Sequence, residues 1–366
     1  MALSLPDFPW DALAPYGEAA RRHSGGIVDL SVGSPVDPTP AVITDALKAA
    51  TDAHAYPQTA GTVELREAIV AWYARRRGVS DLGIANVLPT IGSKELIAWL
   101  PLMLGLGEGD VVVQPEVAYP TYAVGAALAG ATVVSMDDPA QWPAATRLIW
   151  LNTPGNPDGR VLSTDFLRSA VLRARELGAV IVSDECYAEL AWEGELPTPS
   201  ILDPRVIDGN RSSVLAVYSL SKQSNLAGYR AGFVAGCSDL VAELLAVRKH
   251  AGLMPPAPVQ AAMVAALGDD AHVAAQREVY RARRERLHAA FTAAGFRIDH
   301  SEAGLYLWAT EGRPAFETVS RLADHGILVT PGSFYSAQTP DHVRIALTVA
   351  DERIDAAVAR LAELSN

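Results

Sequence analysis

The sequence contains few cysteines and no long run of apolar residues. Its two cysteines, Cys186 and Cys237, are too few and too far apart for a disulfide framework or a cysteine-based metal site. No stretch approaches the ~18 consecutive apolar residues of a membrane-spanning helix, and residues 1–7 lack the cationic and apolar regions of a signal peptide. We therefore expect a cytoplasmic protein with no membrane-spanning segment and no metal site.

The sequence also contains fewer positively charged residues than negatively charged ones. Lysine and arginine together number 30 against 42 acidic residues, which gives a net charge of −12. Such a chain lacks the cationic field that attracts nucleic-acid phosphates or anionic membranes. We expect neither as a partner.

Lysine is scarce even among the cations. Four are present, Lys48, Lys94, Lys222 and Lys249, and the other cations are arginines. Because arginine cannot perform amine chemistry, a lysine in an unusual context suggests a chemical role.

The length of 366 residues predicts two domains of unequal size. Short apolar runs alternate with helical patterns, which indicates an α/β fold, and strands that are almost wholly apolar are typical of a parallel sheet covered on both faces. The expected strands are 110–113, 131–135, 148–151, 179–183, 214–218 and 231–235, and the expected helices are 62–77, 94–104, 121–128 and 164–177.

A proline-rich break at residues 255–258 precedes a different pattern. It predicts one long helix over 259–294, short strands over 304–309 and 343–347, and a final helix over 351–364. We therefore predict an N-terminal segment (1–40) that packs on the small domain, a large domain (41–254) and a small α+β domain (255–366).

Lys222 lies just past the apolar run 214–218, where ligands bind in open α/β sheets. Ser219, Ser221 and Arg230 surround it in sequence, and two hydroxyls with a guanidinium suit a phosphate group. Desolvation or nearby cations would make the amine usable for a Schiff base. An ordinary solvated strand-to-helix loop has the same composition.

Polar residues follow two other apolar runs. Asp184 and Tyr187 come after 179–183, where a carboxylate can keep a pyridine nitrogen protonated and a tyrosine can bond a phenolic oxygen. Asp184 is equally typical of a helix N-cap. Asn156 lies in a turn rich in asparagine, proline and glycine that aims its amide at the same oxygen, although such residues make surface turns everywhere.

Two further positions suit anions. The segment 90–95 opens a helix whose first backbone amides can bind an anion, with Gly92 allowing close approach, although a capped helix without a ligand looks the same. Arg344 lies inside an apolar strand, and a buried arginine needs an anion. That anion is either a substrate carboxylate or a structural salt-bridge partner.

The order and spacing of Asn156, Asp184, Lys222 and Arg230 resemble those of the class I and II aminotransferases, which are pyridoxal 5′-phosphate (PLP) enzymes of fold type I. The resemblance extends from Gly33 to Arg344. It implies a large domain with a mostly parallel central sheet sandwiched by helices, plus a smaller α+β domain. It also implies PLP as cofactor, amino-acid and 2-oxo-acid substrates, and a homodimer with its active site at the interface.

The resemblance also implies a role for each matching residue. Lys222 would hold PLP as a Schiff base, and Arg344, the Gly33 backbone and Asn156 would bind the substrate. The other cofactor-binding residues would be Gly92, Ser93, Lys94, Ser219, Ser221 and Arg230 at the phosphate, Asp184 at the ring nitrogen, Asn156 and Tyr187 at the ring hydroxyl, Tyr119 stacked on the ring, and Tyr56 lent to the phosphate of the neighbouring subunit.

Two features depart from the family pattern. The turn at 152–157 has an extra residue before its second Asn-Pro pair, which leaves the role of Asn152 in doubt. The arginine that binds the second carboxylate in dicarboxylate-specific members has no position we can assign.

Four longer segments, 5–11, 28–33, 88–95 and 251–260, resemble the actinobacterial N-succinyldiaminopimelate aminotransferases of lysine biosynthesis. This implies amino transfer between N-succinyl-LL-2,6-diaminopimelate and 2-oxoglutarate. The alternatives are an aminotransferase for another amino acid such as aspartate, and a PLP-dependent Cβ lyase of the same fold. The acidic chain argues against a PLP-sensing transcription regulator, and a colourless protein that stays colourless with PLP would indicate a non-enzymatic binding protein.

Overall fold

The computed structural model describes residues 5, 9–192 and 198–364. Residues 6–8 of the segment 5–11 lie outside the described residues. The strands are β1 (Val28–Asp29), β2 (Val87–Ile91), β3 (Val111–Gln114), β4 (Thr132–Ser135), β5 (Thr146–Asn152), β6 (Val180–Asp184), β7 (Val214–Ser219), β8 (Ala231–Gly236), β9 (Arg297–Asp299), β10 (Tyr306–Thr310), β11 (Ile327–Leu328), β12 (Thr330–Pro331) and β13 (His342–Ala346).

The α-helices alternate with these strands. They are α1 (Ala14–Arg21), α2 (Ala41–Ala49), α3 (Val63–Arg77), α4 (Gly92–Met103), α5 (Thr121–Ala129), α6 (Thr164–Leu177), α7 (Pro204–Ile207), α8 (Leu220–Gln223), α9 (Ser238–Ala251), α10 (Ala257–Gly268), α11 (Asp270–Ala293), α12 (Ala315–Asp324) and α13 (Asp351–Leu364). None of these helices is both long and apolar enough to cross a membrane.

The central sheet has the strand order β2-β8-β7-β6-β5-β3-β4. Strands β7, β6, β5, β3 and β4 are parallel, whereas β8 runs antiparallel to both of its neighbours. Alternate residues enter two apolar clusters: Ile149 and Ile181 pack with α3 and α6, whereas Leu148 and Val182 pack with α4 and α5. Helices therefore cover both faces, and the predicted fold is confirmed.

Two of the differences from the sequence-based expectation have a clear physical cause. The predicted helix 259–294 is two helices, because the Asp269 side chain accepts a hydrogen bond from the Ala271 N–H (2.9 Å) and begins a new helix there. Strand β2 was missed because it contains Pro89. Proline is tolerated in β2 because this strand lies at the edge of the sheet.

The C-terminal part forms an antiparallel sheet of order β12-β13-β10-β9. The N-terminal segment contacts this part through a separate two-stranded parallel sheet, in which β1 pairs with β11. Leu13 and Leu30 enter the same apolar cluster as Leu307 and Ile345. Helix α10 instead packs into the cluster of α3 and α6. We therefore propose that the small domain begins at α11 rather than at residue 255.

A buried ion pair fixes the chain just beyond β6. Arg77 Nη2 donates to Glu185 Oε2 at 2.9 Å, and neither side chain is exposed. Ser200 Oγ and the Ile201 N–H also donate to this carboxylate, at 2.9 and 2.7 Å. These contacts hold the residue that directly follows Asp184.

Replacing Arg77 with methionine should destabilise the protein by about 3–5 kcal/mol, because Glu185 would stay buried without its cation. Thermal and urea unfolding of the cofactor-free protein measure this loss. Arg173→Met is the matched control, since it breaks the more exposed Arg173–Glu176 pair and should cost less than about 1 kcal/mol. Equal losses in the two variants would contradict the prediction.

Candidate active site

A cavity of about 710 Å³ lies where the carboxyl ends of β5, β6 and β7 meet the start of α4. This is the edge at which open α/β sheets bind ligands. The predicted site residues that line it are Gly33, Ser93, Lys94, Tyr119, Asn156, Asp184, Tyr187, Ser219, Ser221, Lys222, Arg230 and Arg344. Gly92 lies directly behind this wall, and Tyr56 does not line the cavity of its own chain.

Lys222 projects from α8, the short helix that continues β7. Ser219 begins this helix by accepting a hydrogen bond from the Ser221 N–H at 3.2 Å. The Lys222 ammonium donates to the Gly33 carbonyl. Burial lowers the pKa of Lys222, and the charges of Arg344 and Arg230 lower it further. The neutral, nucleophilic amine is therefore easier to form here than in water.

An anion subsite lies at the start of α4. Arg230, with Ser93, Ser219 and Ser221, lines this end of the cavity. Gly92 has φ +72°, and any Cβ at this position would overlap the Arg230 guanidinium. A guanidinium, three hydroxyls and the first amides of a helix suit a phosphate group.

Asp184 is a buried carboxylate that lines the same cavity. It accepts hydrogen bonds from Tyr122 Oη (3.0 Å) and from the Cys186 N–H (3.2 Å). Both of these donors are uncharged, and burial raises the pKa of Asp184. A bound ring with a protonated nitrogen would supply the missing positive charge.

The turn at 152–157 shows what Asn152 does. Its Nδ2 donates to the Asp184 carbonyl (2.9 Å) and to the Pro154 carbonyl (3.1 Å), and its Oδ1 accepts from the Asn156 N–H at 2.8 Å. Asn152 therefore joins the end of β5 to the end of β6 and fixes the position of Asn156.

Arg344 is buried, yet its hydrogen-bond partners within the described chain are neutral. It donates to Asn156 Oδ1 (3.1 Å) and to the Ser31 carbonyl (2.7 Å), while its Nε has no partner among the described residues. Burial alone would lower the pKa of Arg344, but the tyrosines around it raise it. A buried, charged guanidinium without a carboxylate is a binding site for an anion.

Three aromatic residues of the site were missed in the sequence. Tyr306 lies 4.0 Å from Arg344, measured from the ring centroid to Cζ, and its hydroxyl is 3.3 Å from that of Tyr187. Tyr122 bonds Asp184, and Trp10 lines the cavity. Only the position of Tyr306, on the predicted strand that pairs with the strand of Arg344, offered a signal.

Gly33 and Tyr119 also line the cavity. Any Cβ at Gly33 would overlap the Tyr306 hydroxyl, so this position requires glycine. Burial raises the pKa of Tyr119 to about 12, which keeps its ring neutral beside Lys222.

These features fit PLP, the cofactor that the sequence resemblance implies. An amine can hold its aldehyde, the cationic end of the cavity can hold its phosphate, and the buried Asp184 carboxylate lacks the cation that a protonated ring nitrogen would provide. No group of three or more metal-ligating side chains occurs in the described residues.

Comparisons with known proteins agree with this geometry. The family model "Aminotransferase class I and II" matches residues 26–361. The chain is 58% identical to a probable aminotransferase of Mycobacterium tuberculosis, over 99% of this chain and 86% of the relative. It is 55% identical to the 4-dedimethylamino-4-oxo-anhydrotetracycline transaminase of Streptomyces rimosus, over 98% and 99%.

A solved structure, N-succinyldiaminopimelate aminotransferase from Mycobacterium tuberculosis, superposes with a TM-score of 0.86 at 28% identity, covering 96% of this chain and 97% of that one. The fold, the site and the relatives agree. This chain belongs to the class I and II aminotransferases, and its cofactor is PLP.

Proposed function

We propose that the protein transfers an amino group between N-succinyl-LL-2,6-diaminopimelate and 2-oxoglutarate in a ping-pong cycle. Bound PLP supplies the electron sink that makes loss of the substrate Cα proton feasible. Lys222 Nζ would hold the cofactor in the resting enzyme, and as a free amine it would serve as the base that takes the proton from Cα.

The other predicted site residues would hold the cofactor in place. Asp184 would pair with the ring nitrogen, Asn156 and Tyr187 would bond the ring hydroxyl, and Tyr119 would pack on the ring face. Ser93, Ser219, Ser221 and Arg230 would hold the phosphate, together with the backbone at Gly92 and Lys94.

Arg344 is the observation that carries this proposal. Its guanidinium is buried, has only neutral partners in the described chain, and shares a cavity with Lys222. A bidentate bond to the substrate α-carboxylate satisfies this cation and leaves the amino group free to approach Lys222. Gly33 provides backbone contact at the same place.

The choice of donor rests on the walls of the cavity. Three of the four segments that resemble the N-succinyldiaminopimelate aminotransferases reach it, through Trp10, Gly33 and Ser93. Trp10, Val32 and Val124 give the cavity an apolar side that suits the methylene chain of a long amino acid. The solved structure of that name supports the same donor.

A second candidate is amination of a ketone on a fused-ring compound. The relative that favours it is the anhydrotetracycline transaminase at 55% identity. Transfer to or from another amino acid such as aspartate, or Cβ elimination, would use the same cofactor contacts. Dependence on an amino acceptor separates transfer from elimination.

We also propose a homodimer with shared active sites. Tyr56 is 98% exposed, and the neighbouring turn is held by Gln260, whose Oε1 accepts from the Thr62 N–H at 3.0 Å. A tyrosine presented outward in this way suits contact with the phosphate of a second subunit.

The test is an absorbance spectrum of the PLP-bound protein before and after adding each donor. We expect N-succinyl-LL-2,6-diaminopimelate to bleach the visible band and 2-oxoglutarate to restore it. Bleaching by glutamate or aspartate alone would reject the proposed donor. A different result would favour the second candidate: glutamate bleaches the band, the succinylated donor does not, and 4-dedimethylamino-4-oxo-anhydrotetracycline restores it.

A further inference from the structure

A chain of hydrogen bonds runs along the segment that carries Lys222 and ends at the start of α11. Tyr218 Oη on β7 donates to Gln223 Oε1 (2.5 Å), and Gln223 Nε2 donates to Ser224 Oγ (3.2 Å). Ser224 Oγ lies 2.8 Å from His272 Nε2, and His272 Nδ1 lies 3.1 Å from Asp269 Oδ2. The chain thus begins on the strand before Lys222 and leaves through the two residues after it.

The hydrogen bonds of this chain can all be donated in the same direction, from Tyr218 towards Asp269. Ser224 Oγ accepts from Gln223, so its own hydrogen can point to His272 Nε2. His272 then carries its proton on Nδ1 and donates to the Asp269 carboxylate. Each hydrogen bond in the chain therefore joins one donor to one acceptor.

The serine, histidine and aspartate resemble a hydrolytic triad in their contacts but cannot act as one. Ser224 has no exposed surface, and it does not line the cavity among the described residues. A substrate cannot reach its hydroxyl. The arrangement therefore has to act through its neighbours.

The next residue is held in a similar way. Asn225 has φ +52° and donates to Gln276 Oε1 at 2.8 Å, one helical turn after His272. Gln276 Nε2 donates to Asp37 Oδ2 (2.9 Å), which also pairs with Arg283. Two consecutive residues of the lysine segment are thus bound to α11, the helix that packs on α13 of the small domain.

We propose that the Asp269–His272–Ser224 chain is a positioning device that fixes the backbone of Lys222 from the start of α11. The proposal rests on the proposed role of Lys222. This lysine must leave the cofactor and return to the same atom in every cycle, so a fixed backbone raises its effective concentration there. These hydrogen bonds also couple the position of α11 to the position of Lys222.

The test compares His272→Ala, Ser224→Ala and the double variant as PLP-bound proteins. We expect each single variant to shift the pH midpoint of the visible absorbance band and to lower kcat roughly tenfold, with little change in KM, because misplaced catalytic groups lose rate. The double variant should shift no further than the single variants, because one chain is broken in all three. His272→Gln, which keeps an acceptor for Ser224, should recover part of the shift.

The control is His250→Ala, since His250 is exposed in the last turn of α9 and does not line the cavity. A lower Tm with a wild-type spectrum in the Ala variants would overturn the proposal and leave an ordinary helix cap. Additive shifts in the double variant would also overturn it. If wild-type protein shows no lysine-dependent band at all, the proposed function fails instead, which is a separate result.

Discussion

Lys222→Ala is expected to lower amino transfer by roughly 10⁴-fold, because Lys222 is proposed to be both the nucleophile that holds the cofactor and the base that moves the Cα proton. The variant should still bind PLP through the Arg230 end of the cavity. Its spectrum should be that of the free aldehyde rather than of a lysine adduct. Single-turnover rates and spectra measure both effects.

The scarcity of lysine makes a direct chemical test available. Borohydride reduction of the PLP-bound wild type should attach the cofactor to one lysine and block trypsin there. Because Arg211 and Arg230 are the nearest flanking cleavage sites, the label should appear on the peptide 212–230. Lys249→Ala, on the exposed surface of α9, is the matched control and should keep label and activity. Label on any other lysine would refute the assignment.

Asp184→Asn should lower kcat by roughly 10²- to 10⁴-fold, the cost of removing one partner of a buried charge pair. PLP should remain bound, because the phosphate contacts are unchanged. Tyr122→Phe is the control: it removes one hydrogen bond to the same carboxylate but keeps the charge, so about a tenfold loss is expected. A cofactor methylated at the ring nitrogen, which is permanently charged, should recover activity in Asp184→Asn. Equal losses in the two variants would contradict this role.

The same substitution should lower activity but stabilise the cofactor-free protein. Because burial raises the pKa of Asp184, the folded chain binds a proton there more tightly than the unfolded chain does. This carboxyl stabilises the fold at low pH, and that contribution is lost as the pH rises through its raised pKa. At neutral pH, cofactor-free Asp184→Asn should therefore have a higher Tm than wild type, and the difference should shrink as the pH falls.

Local patterns in the sequence predicted the elements that local physics controls. Helices α6 and α13 have the predicted bounds, because Ser163 caps α6 and Gly178 ends it, and because apolar residues recur at helical spacing in both. The expected strands of the central sheet occur within two residues of their predicted ends. The same pattern failed at Asp269, where a cap inside a helical run divides α10 from α11.

The residues of the active site could be predicted only in part from the sequence. Residues at strand ends, such as Asp184 and Lys222, could be found because a parallel sheet brings its carboxyl ends together. Tyr122 could not be found, since it reaches the site from α5, whose placement depends on tertiary packing, and the only signal for Tyr306 was its position on a predicted strand. The sequence left two alternatives for Arg344, and the neutral partners in the described chain favour the substrate carboxylate over a salt bridge.

The pairing of β1 with β11 has a consequence for synthesis on the ribosome. Val28 leaves the ribosome about 300 residues before its partner Ile327. At about 5–20 residues per second, the N-terminal strand waits roughly 15–60 s for this partner. Gly33 waits equally long for Arg344, so the proposed substrate site cannot form until both residues have been made. During that interval the apolar side chains of Val28 and Leu30 are open to chaperones.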